Sequence, residues 1–426
     1  MVAAASMAGI AGAPKFSFGQ SAGGKTFIKI FMRGGADGLH LVPPVGDMAY
    51  YNHRPNLAIG APLSSDANTA ISLGSTYRAL NPNLEPLMEI WDAGRLMIAP
   101  ATAISDGNRS HFDNQRWIGT GERNNIIDGY LNRYMQNVAG PDHPLRGAVL
   151  GKTSLSTEQR GSIVVPAVNN RDGFNLEHPV LCGGSGCADN RLTDMMRDIA
   201  MHEIDQPGLE GDLRDNQLVM LDSISEVQAA GVNYVVEAGG MDYSNSQLGR
   251  GLRLAAQLLK AGVPLEVAAM DFNIGWDTHS NQIPGANNGN RFSDPNFGYH
   301  SRMRQGANDL VTFYRDMGTG IDDVVVLVCT EFGRTVKENG TIGTDHGHAS
   351  SWFAFGGATA GGLAPDVTSI AEDQLISARF LPHATEFRDI VGEIMIRHMG
   401  MPESLLSEIF RGHAFTNHGL FTRGVA

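Results

Sequence analysis

The sequence predicts an α/β protein whose central, mostly parallel sheet is covered by helices on both faces. Short apolar runs typical of buried strands alternate along the chain with segments of helical periodicity, which is the pattern of parallel sheets. Hydrophobic residues make up 42% and charged residues 18% of the 426 residues, which allows a large core. Because the chain carries no internal repeat, one domain at residues 25–426, with a helical insertion at about 187–250, explains the pattern better than two domains.

The predicted strands are short apolar runs, several of them rich in β-branched residues and followed by glycine or charged turns. In chain order they are FIKIFM (27–32), RLMIAPAT (95–102), GAVL (147–150), GSIVVPAV (161–168), VPLEVAAMDF (263–272), DDVVVLVCT (322–330) and SWFAFGG (351–357). We expect these runs to form the central sheet.

Between the strands, apolar residues recur at helical spacing. In NPNLEPLMEIWDAG (81–94), four apolar residues fall on one helix face and Gly94 ends the helix. One more helix begins within AISDGNRSHFDNQRW (103–117), and the segment between about 189 and 262 is also helical. Two further helices cover SRMRQGANDLVTFYRDMG (301–318) and TEFRDIVGEIMIRHMG (385–400). They supply the layers that cover the sheet.

The formal net charge of −13 excludes some classes of partner. Nucleic acid needs a basic surface, so we expect no nucleic-acid partner, and an anionic membrane surface is also disfavoured. No stretch is long and apolar enough to span a membrane, so we expect no stable membrane insertion. A small anionic substrate fits only where a metal ion or an arginine cluster overrides the negative field.

The first 24 residues are small, apolar and then glycine-rich. They resemble the apolar region and cleavage zone of an export signal without its basic start, and the alternative is a flexible alanine-rich terminus. In an oxidising compartment Cys182 and Cys187 of LCGGSGC form a disulfide; otherwise they are unpaired loop thiols. Cys329 ends an apolar run, which indicates a buried core residue.

Four predicted strand ends lead into polar loops: RGGADG, SDGNRSHFD, GWDTHSNQ and TEFGRTVKENGTIGTDHGHAS. In sheets of this class, ligands bind beyond the carboxyl ends of the strands. The loops therefore bring seven polar residues to one rim: Asp37, Ser110, Asp277, His279, Glu331, Asp345 and His346. We predict that residues 330–350 form one wall of a metal-dependent active site.

The acidic residues and histidines of this rim predict a divalent metal ion. Asp345 and His346 are adjacent on a glycine-flanked loop that can present both to one ion. Asp277 and His279 are two residues apart, so their side chains share a face in extended chain. Mixed sites suit Zn or Mn, and carboxylate-rich sites suit Ca or Mg. Simple turns or an N-cap explain each motif alone, most readily Asp37 before glycine, but their coincidence favours a metal.

Ser110 opens the helix that follows the second long strand. Serine there is a frequent N-cap, and the same position directs backbone N–H groups and the helix dipole at an anion. That geometry suits phosphoryl or sulfuryl transfer, and a metal ion that lowers the pKa of the serine removes the need for a histidine base. Ser110 is therefore the predicted nucleophile, and Arg109 and Arg334 are predicted to bind the nonbridging oxygens.

The segments FMRGGADGLHLVPP, RSHFDNQ, GWDTHSNQ and TEFGRTVKENGTIGTDHGHAS resemble an exported bacterial family known only as domain of unknown function 1501. The resemblance covers residues from about 25 to 401. That family is grouped with the alkaline phosphatase-like superfamily, which includes sulfatases and cofactor-independent phosphoglycerate mutases. The resemblance implies a three-layer α/β/α sandwich of that superfamily, a twin-arginine export signal, and a periplasmic or secreted location.

The resemblance also implies how two metal ions would be held. By that resemblance the first ion takes Asp37, Ser110, Asp345 and His346, and the second takes Asp277, His279 and a later histidine. The candidates for that later histidine are His348, His413 and His418. The sequence departs from the superfamily in the close spacing of Asp277 and His279, and it lacks the pattern around Ser110 that formylglycine sulfatases need.

Two functional hypotheses follow. The leading one is an exported, metal-dependent hydrolase of phosphate or sulfate esters, acting on a small anionic ester or sugar substrate through Ser110. The second is an exported binding protein on the same alkaline phosphatase-like scaffold, without catalysis. A phosphomutase or other transferase is disfavoured, because export removes the chain from sugar-phosphate metabolism.

Overall fold

A computed structural model describes residues 24–63, 68–124, 127–174, 190–202, 209–285 and 287–422. Within these ranges the chain forms a mixed α/β fold on one large, mostly parallel sheet, which confirms the predicted class. The predictions of an export signal and of a bond between Cys182 and Cys187 fall outside the described residues.

Nine of the described strands form the central sheet. The strands are β1 (Thr26–Phe31), β2 (Ile71–Ser72), β3 (Ala79–Leu80), β4 (Leu96–Ala103), β5 (Gly147–Leu150), β6 (Ala167–Val168), β7 (Val267–Asp271), β8 (Val324–Cys329), β9 (Ser350–Gly356), β10 (Gly362–Leu363) and β11 (Thr385–Glu386). The sheet order is β10–β4–β9–β8–β1–β7–β5–β6, with β11 also beside β4. All of its neighbours are parallel except β9, which is antiparallel to β4 and β8, while β2 and β3 pair separately.

Helices connect and cover these strands. They are α1 (Gly38–Leu41), α2 (Met48–His53), α3 (Met88–Asp92), α4 (His111–Thr120), α5 (Tyr130–Asn137), α6 (Asn190–His202), α7 (Leu209–Ala230), α8 (Gln247–Lys260), α9 (Gly298–Met317), α10 (Phe387–Glu393) and α11 (Leu406–Ile409). Of the helices in the described ranges, none is long and apolar enough to cross a membrane.

The sheet has an apolar core on each of its two faces. On β1, Ile28 packs into one cluster that includes Leu252 of α8. Phe27, one position earlier, packs into a second cluster with Tyr130 of α5. Because successive side chains of a strand point to opposite faces, β1 supplies both clusters and is buried along its whole length.

Two predicted elements differ from the observed ones. The run 161–168 forms a strand only at Ala167–Val168. The helix predicted over 81–94 begins as a 3-10 turn at Pro82–Leu87 and becomes α3 only from Met88. Pro86 explains the change, because proline has no N–H to donate and its ring obstructs an α-helical turn.

The antiparallel course of β9 also has a physical reason. The connection from β8 to β9, residues 330–349, contains no helix. A parallel return requires a crossover that spans the sheet, whereas an antiparallel return lets the connecting loop stay at one edge. The loop therefore remains at the carboxyl end of β8, which is where the predicted site lies.

Candidate metal centre

The carboxyl ends of β1, β4, β7 and β8 lie at one edge of the sheet, and β9 enters the sheet from that edge. The loops that follow these strands carry most of the polar residues predicted for the rim. This edge is therefore where the structure assembles the candidate site.

Three imidazoles and one carboxylate meet at this edge, and we call them the His–Asp cluster: His111, Asp277, His279 and His346. The Nε2 atom of His346 lies 3.1 Å from the Nε2 atoms of both His111 and His279. Asp277 Oδ1 lies 3.0 Å from His279 Nε2 and 3.3 Å from His346 Nε2. Asp277 Oδ2 lies 3.5 Å from His111 Nε2. The four side chains are 23% to 48% exposed, so solvent reaches them.

Two imidazoles of the cluster have their tautomers set by outer partners. His111 Nδ1 lies 2.8 Å from Glu331 Oε1. Burial disfavours the charged form of Glu331, but hydrogen bonds led by that of His111 outweigh burial and lower the pKa of the carboxyl. A carboxylate only accepts, so His111 Nδ1 carries the hydrogen. His346 Nδ1 lies 2.9 Å from the carbonyl of Arg109, which also only accepts. When neutral, each of these rings turns an Nε2 lone pair into the cluster.

Facing lone pairs 3.1 Å apart repel each other unless a proton or a metal cation lies between them. Burial lowers the pKa of His346, which favours its neutral, lone-pair form. The ligand atoms of His111, Asp277 and His346 all lie within 4.8 Å of one another, a spacing that suits one ion. Imidazole nitrogen with carboxylate oxygen is a donor set for Zn and related divalent ions, so the residues fit a metal.

Asp277 is fixed by a buried guanidinium. Arg334 donates to Asp277 Oδ1 and to the carbonyls of Gly35 at 2.6 Å and Thr344 at 3.2 Å. Burial disfavours the Asp277 carboxylate, but the hydrogen bond from Arg334 outweighs burial and lowers its pKa. The side chain of Arg334 is fully buried, so its donors are directed at protein acceptors beneath the cluster.

Gly34 lets the end of β1 approach this region closely. Its φ is 123°, and a Cβ there would lie 2.9 Å from the backbone nitrogen of Asp277. The Gly34 N–H also donates to Glu331 Oε1 at 2.9 Å. A larger residue at this position would push Asp277 away and disturb the carboxylate behind His111.

The structure does not bring Asp37 to the His–Asp cluster. Its two oxygens accept hydrogen bonds from Arg54 at 2.7 and 3.0 Å, and Oδ2 also accepts from Gln282 at 2.7 Å. Both partners of the ion pair are buried. Burial disfavours the charged form of Asp37, but the positive charge of Arg54 outweighs burial and lowers its pKa. Both oxygens of this carboxylate are thus engaged inside the protein.

Ser110 precedes His111 in the chain and Asp345 lies against His279, and each has another partner. Ser110 caps α4, because its Oγ accepts the N–H of Asp113 at 3.3 Å. Asp345 Oδ1 lies 3.4 Å from His279 Nδ1, and Oδ2 accepts from Arg379 at 3.0 Å. Asp345 therefore supports the far side of the His279 ring, as outer carboxylates do for metal-binding imidazoles.

An open cavity of about 270 Å3 adjoins the cluster. Its lining residues are Arg109, His279, Asp345, His346, Arg379 and Phe380. The guanidinium carbon of Arg109 lies 4.5 Å from the centre of the Phe380 ring, and that of Arg379 lies 5.5 Å from it. Two guanidiniums beside imidazole and carboxylate ligands suit a ligand that carries negative charge.

The three further histidine candidates lie at two other places. His348 Nε2 is 3.1 Å from His383 Nδ1, and burial lowers the pKa of His348 to about 4. His413 and His418 both contact the Asp389 carboxylate, at 2.7 and 3.2 Å. In the described part of the chain, the structure gathers three or more such ligands closely enough for one ion only in the His–Asp cluster.

The sequence prediction gave no role to His111 and placed Glu331 at the rim without one. A signal for both lies in the motif RSHFDNQ. His111 and Gln115 are four apart, so they share one face of α4. Both contact Glu331 Oε1 at 2.8 Å. Two polar side chains on one helix face next to a rim carboxylate indicate that the helix contributes to the site.

Residues 200–397 match the model of a family described as protein of unknown function (DUF1501). The match contains Asp277, His279 and His346, but it does not reach His111. It supports the resemblance seen in the sequence motifs, and its description assigns no activity. No curated protein matches the chain. Function must therefore be argued from the geometry and chemistry of the site.

Proposed function

We propose that this protein is an exported, metal-dependent hydrolase of phosphate or sulfate esters on an alkaline phosphatase-like scaffold. The observation that carries the proposal is the facing pair of His111 and His346 nitrogens, 3.1 Å apart beside a cavity with two guanidiniums. Phosphoryl and sulfuryl transfer need cationic groups where negative charge gathers in the transition state, and this arrangement supplies them.

In this proposal the His–Asp cluster holds one divalent ion. The imidazole majority favours Zn or Mn over Ca or Mg. When bound, the ion polarises an ester oxygen and lowers the pKa of a hydroxyl group close to it. Glu331 and Asp345 hold the rings of His111 and His279 from behind, so the nitrogen ligands keep their orientation.

Ser110 supplies the attacking oxygen. It lies between Arg109, whose carbonyl bonds to His346, and His111 of the cluster, so its backbone is tied to the site on both sides. The capping bond from Asp113 occupies one lone pair of Oγ and leaves the hydroxyl proton and the other lone pair. As Oγ bonds to phosphorus or sulfur it gives up its proton, the bond to the alcohol oxygen breaks, and the alcohol leaves with that proton. Water then bonds to phosphorus or sulfur, the bond to Oγ breaks, and a proton of the water restores the hydroxyl as the anion leaves.

Arg109 binds the nonbridging oxygens of the substrate. Its guanidinium lies against the Phe380 ring, and within the described residues it pairs with no carboxylate. Its N–H donors can therefore bind a ligand in the cavity. A planar guanidinium matches two oxygens of a phosphate or sulfate group at once.

A metal-binding protein without catalysis is the second candidate, and a specific observation favours it. Asp37, which the superfamily resemblance assigns to a metal, is paired with buried Arg54. The histidines considered for a second ion also lie away from the cluster. One cluster would then replace the two-metal arrangement of the superfamily, and this candidate predicts ion binding without turnover.

Export by the twin-arginine route and a periplasmic or secreted location also belong to the proposal. They rest on the composition of residues 1–24 and on the family resemblance. Fractionation of cells that produce the full chain tests this part, and recovery of the uncleaved chain from the cytoplasm alone would contradict it.

The hydrolase proposal is tested with metal-depleted protein reloaded separately with Zn, Mn, Mg and Ca. Turnover of p-nitrophenyl phosphate and p-nitrophenyl sulfate is measured for the wild type, Ser110→Asn and His111→Ala, with His413→Ala as a histidine control outside the cluster. We expect metal-dependent turnover in the wild type and in the control alone. Metal binding without turnover of any ester in a broad panel would favour the binding protein.

A further inference from the structure

Arg379 and Phe380 belong to a tight turn that the proposed reaction does not yet use. The N–H of Ile376 donates to the Phe380 carbonyl at 2.9 Å, and the Phe380 N–H donates back to the Ile376 carbonyl at 3.0 Å. Between them, Ser377 and Ala378 have φ values of 53° and 54°. Residues with a side chain rarely adopt this conformation, and two in succession indicate strain that the surroundings impose.

The strained turn is tied to the loop that carries the cluster. Val336 N–H donates to the Arg379 carbonyl at 3.1 Å, and Phe380 forms a β-bridge with Thr335. Thr335 Oγ1 in turn accepts the N–H of Asp345 at 3.1 Å. These bonds fix the backbone of Arg379 and Phe380 relative to the ligands His279 and His346.

Phe380 sets the spacing of two guanidiniums. Phe380 is 8% exposed as a whole residue, whereas the side chain of Arg379 is 54% exposed. The guanidinium carbons of Arg109 and Arg379 lie 4.5 and 5.5 Å from the centre of this one ring. Arg379 donates a hydrogen bond to Asp345 Oδ2. Arg379 also lines the cavity together with Arg109.

We infer that the turn Ile376–Phe380 is the specificity-determining element of the site, which positions Arg379 beside Arg109 to bind a tetrahedral oxyanion. The cluster and the two guanidiniums approach a ligand as three separate cationic groups, once the cluster holds its ion. A phosphate or sulfate group offers three or more oxygens to them, whereas a carboxylate offers two. The cavity is open, so the rest of the ligand stays in solvent. This inference rests on the proposed function, because it names the residues that select the ligand of that site.

The test measures dissociation constants of inorganic phosphate, sulfate and acetate for zinc-loaded protein by calorimetry. In Arg379→Gln we expect phosphate and sulfate to bind roughly tenfold more weakly, with acetate changing less, since a hydrogen bond to a charged group is lost. The matched control is Arg388→Gln, whose guanidinium bonds to Glu386 outside the cavity lining. The control should bind all three anions like the wild type.

Ala378→Gly separates positioning from general structural support. Glycine adopts the positive φ without strain, so the melting temperature should rise. Because the turn also becomes looser, phosphate affinity should fall. Opposite changes in melting temperature and affinity support the inference, whereas a lower melting temperature, or unchanged affinity, overturns it.

The outcomes also distinguish this inference from the proposed function. Zinc-loaded Arg379→Gln that binds phosphate as the wild type does, or an equal loss in Arg388→Gln, overturns the role of the turn and leaves the metal site intact. Wild-type protein that takes up none of Zn, Mn, Mg and Ca fails at the earlier step and removes the proposed function on which the turn depends.

Discussion

The Nε2 atoms of His111 and His346 lie 3.1 Å apart, while the Nδ1 atom of each ring bonds to a protein acceptor. In the neutral form, neither ring therefore has a hydrogen on Nε2 to donate to the other. Asp277 and His279 place further potential ligand atoms within 3.5 Å of these nitrogens. A proton or a metal cation between the facing nitrogens removes their repulsion, and we propose that a metal ion does so here.

Glu331→Gln should weaken zinc binding by roughly 10- to 100-fold, as loss of outer-shell carboxylates does elsewhere. The amide keeps an oxygen for His111, Gln115 and the Gly34 N–H, so the ring keeps its orientation and only the negative charge is lost. Competition with a zinc-binding dye measures the change. Glu386→Gln is the matched control, because that carboxylate bonds to Ser105 and Arg388 instead; equal affinities in the two variants would contradict the role of Glu331.

Ser110→Ala and Ser110→Asn separate the two roles of this serine. Alanine removes the cap of α4 and should lower the free energy of unfolding by about 1 kcal/mol, whereas asparagine can still cap the helix. Neither variant has a hydroxyl nucleophile, so both should lose ester turnover by several orders of magnitude. Denaturant unfolding and turnover are measured together. If Ser110→Asn retained activity, Ser110 would be a cap alone.

Asp37→Asn should lower the free energy of unfolding by roughly 3–5 kcal/mol, because it leaves the buried charge of Arg54 without its partner. Zinc affinity should stay within about twofold of the wild type, since Asp37 lies outside the cluster. Replacing the pair together, as Asp37→Asn with Arg54→Met, should recover part of the loss. A large fall in zinc affinity with little change in stability would instead make Asp37 a ligand.

His398→Gln should reduce the loss of stability that occurs as the pH falls from 6.5 to about 4. Burial lowers the pKa of His398 to about 4 from the ordinary 6.5. Below pH 6.5 the unfolded chain takes up a proton that the folded chain refuses until about pH 4, so this group makes stability fall between those values and not below them. Glutamine keeps a donor for the Thr26 carbonyl and does not titrate. Melting temperatures from pH 7 to 4 measure the slope, and equal slopes for variant and wild type would contradict the assignment.

Much of the site could be predicted, because the sequence shows where buried apolar strands end and polar loops begin. The buried run of β8 is followed at once by TEFGR, and that of β7 is followed shortly afterwards by GWDTHSNQ. The rim position of Asp277, His279 and His346 therefore follows from chain order and sheet class. The prediction missed His111, because the residue before it, Ser110, was the one assigned a role in this motif. Its i,i+4 spacing to Gln115 was the available signal.

Other features depend on contacts that no local pattern contains. Asp37 follows β1 as a ligand would, yet Arg54, 17 residues further on, occupies its oxygens through the packing of α2. The role of Arg379 depends on a turn far along the chain that meets the cluster loop only through tertiary bonds. The antiparallel course of β9 was not predicted, although the glycine-rich link from β8 offers no helix for a parallel crossover.

The most direct measurement is the zinc content of metal-depleted protein after reloading and exhaustive dialysis, for the wild type and for His111→Ala with His346→Ala. His413→Ala, a histidine held by Asp389 away from the cluster, is the control. We expect one zinc ion per chain in the wild type and in the control, and none in the double variant. Equal zinc in all three proteins, or no retained zinc, manganese, magnesium or calcium in the wild type, would contradict metal binding by the His–Asp cluster.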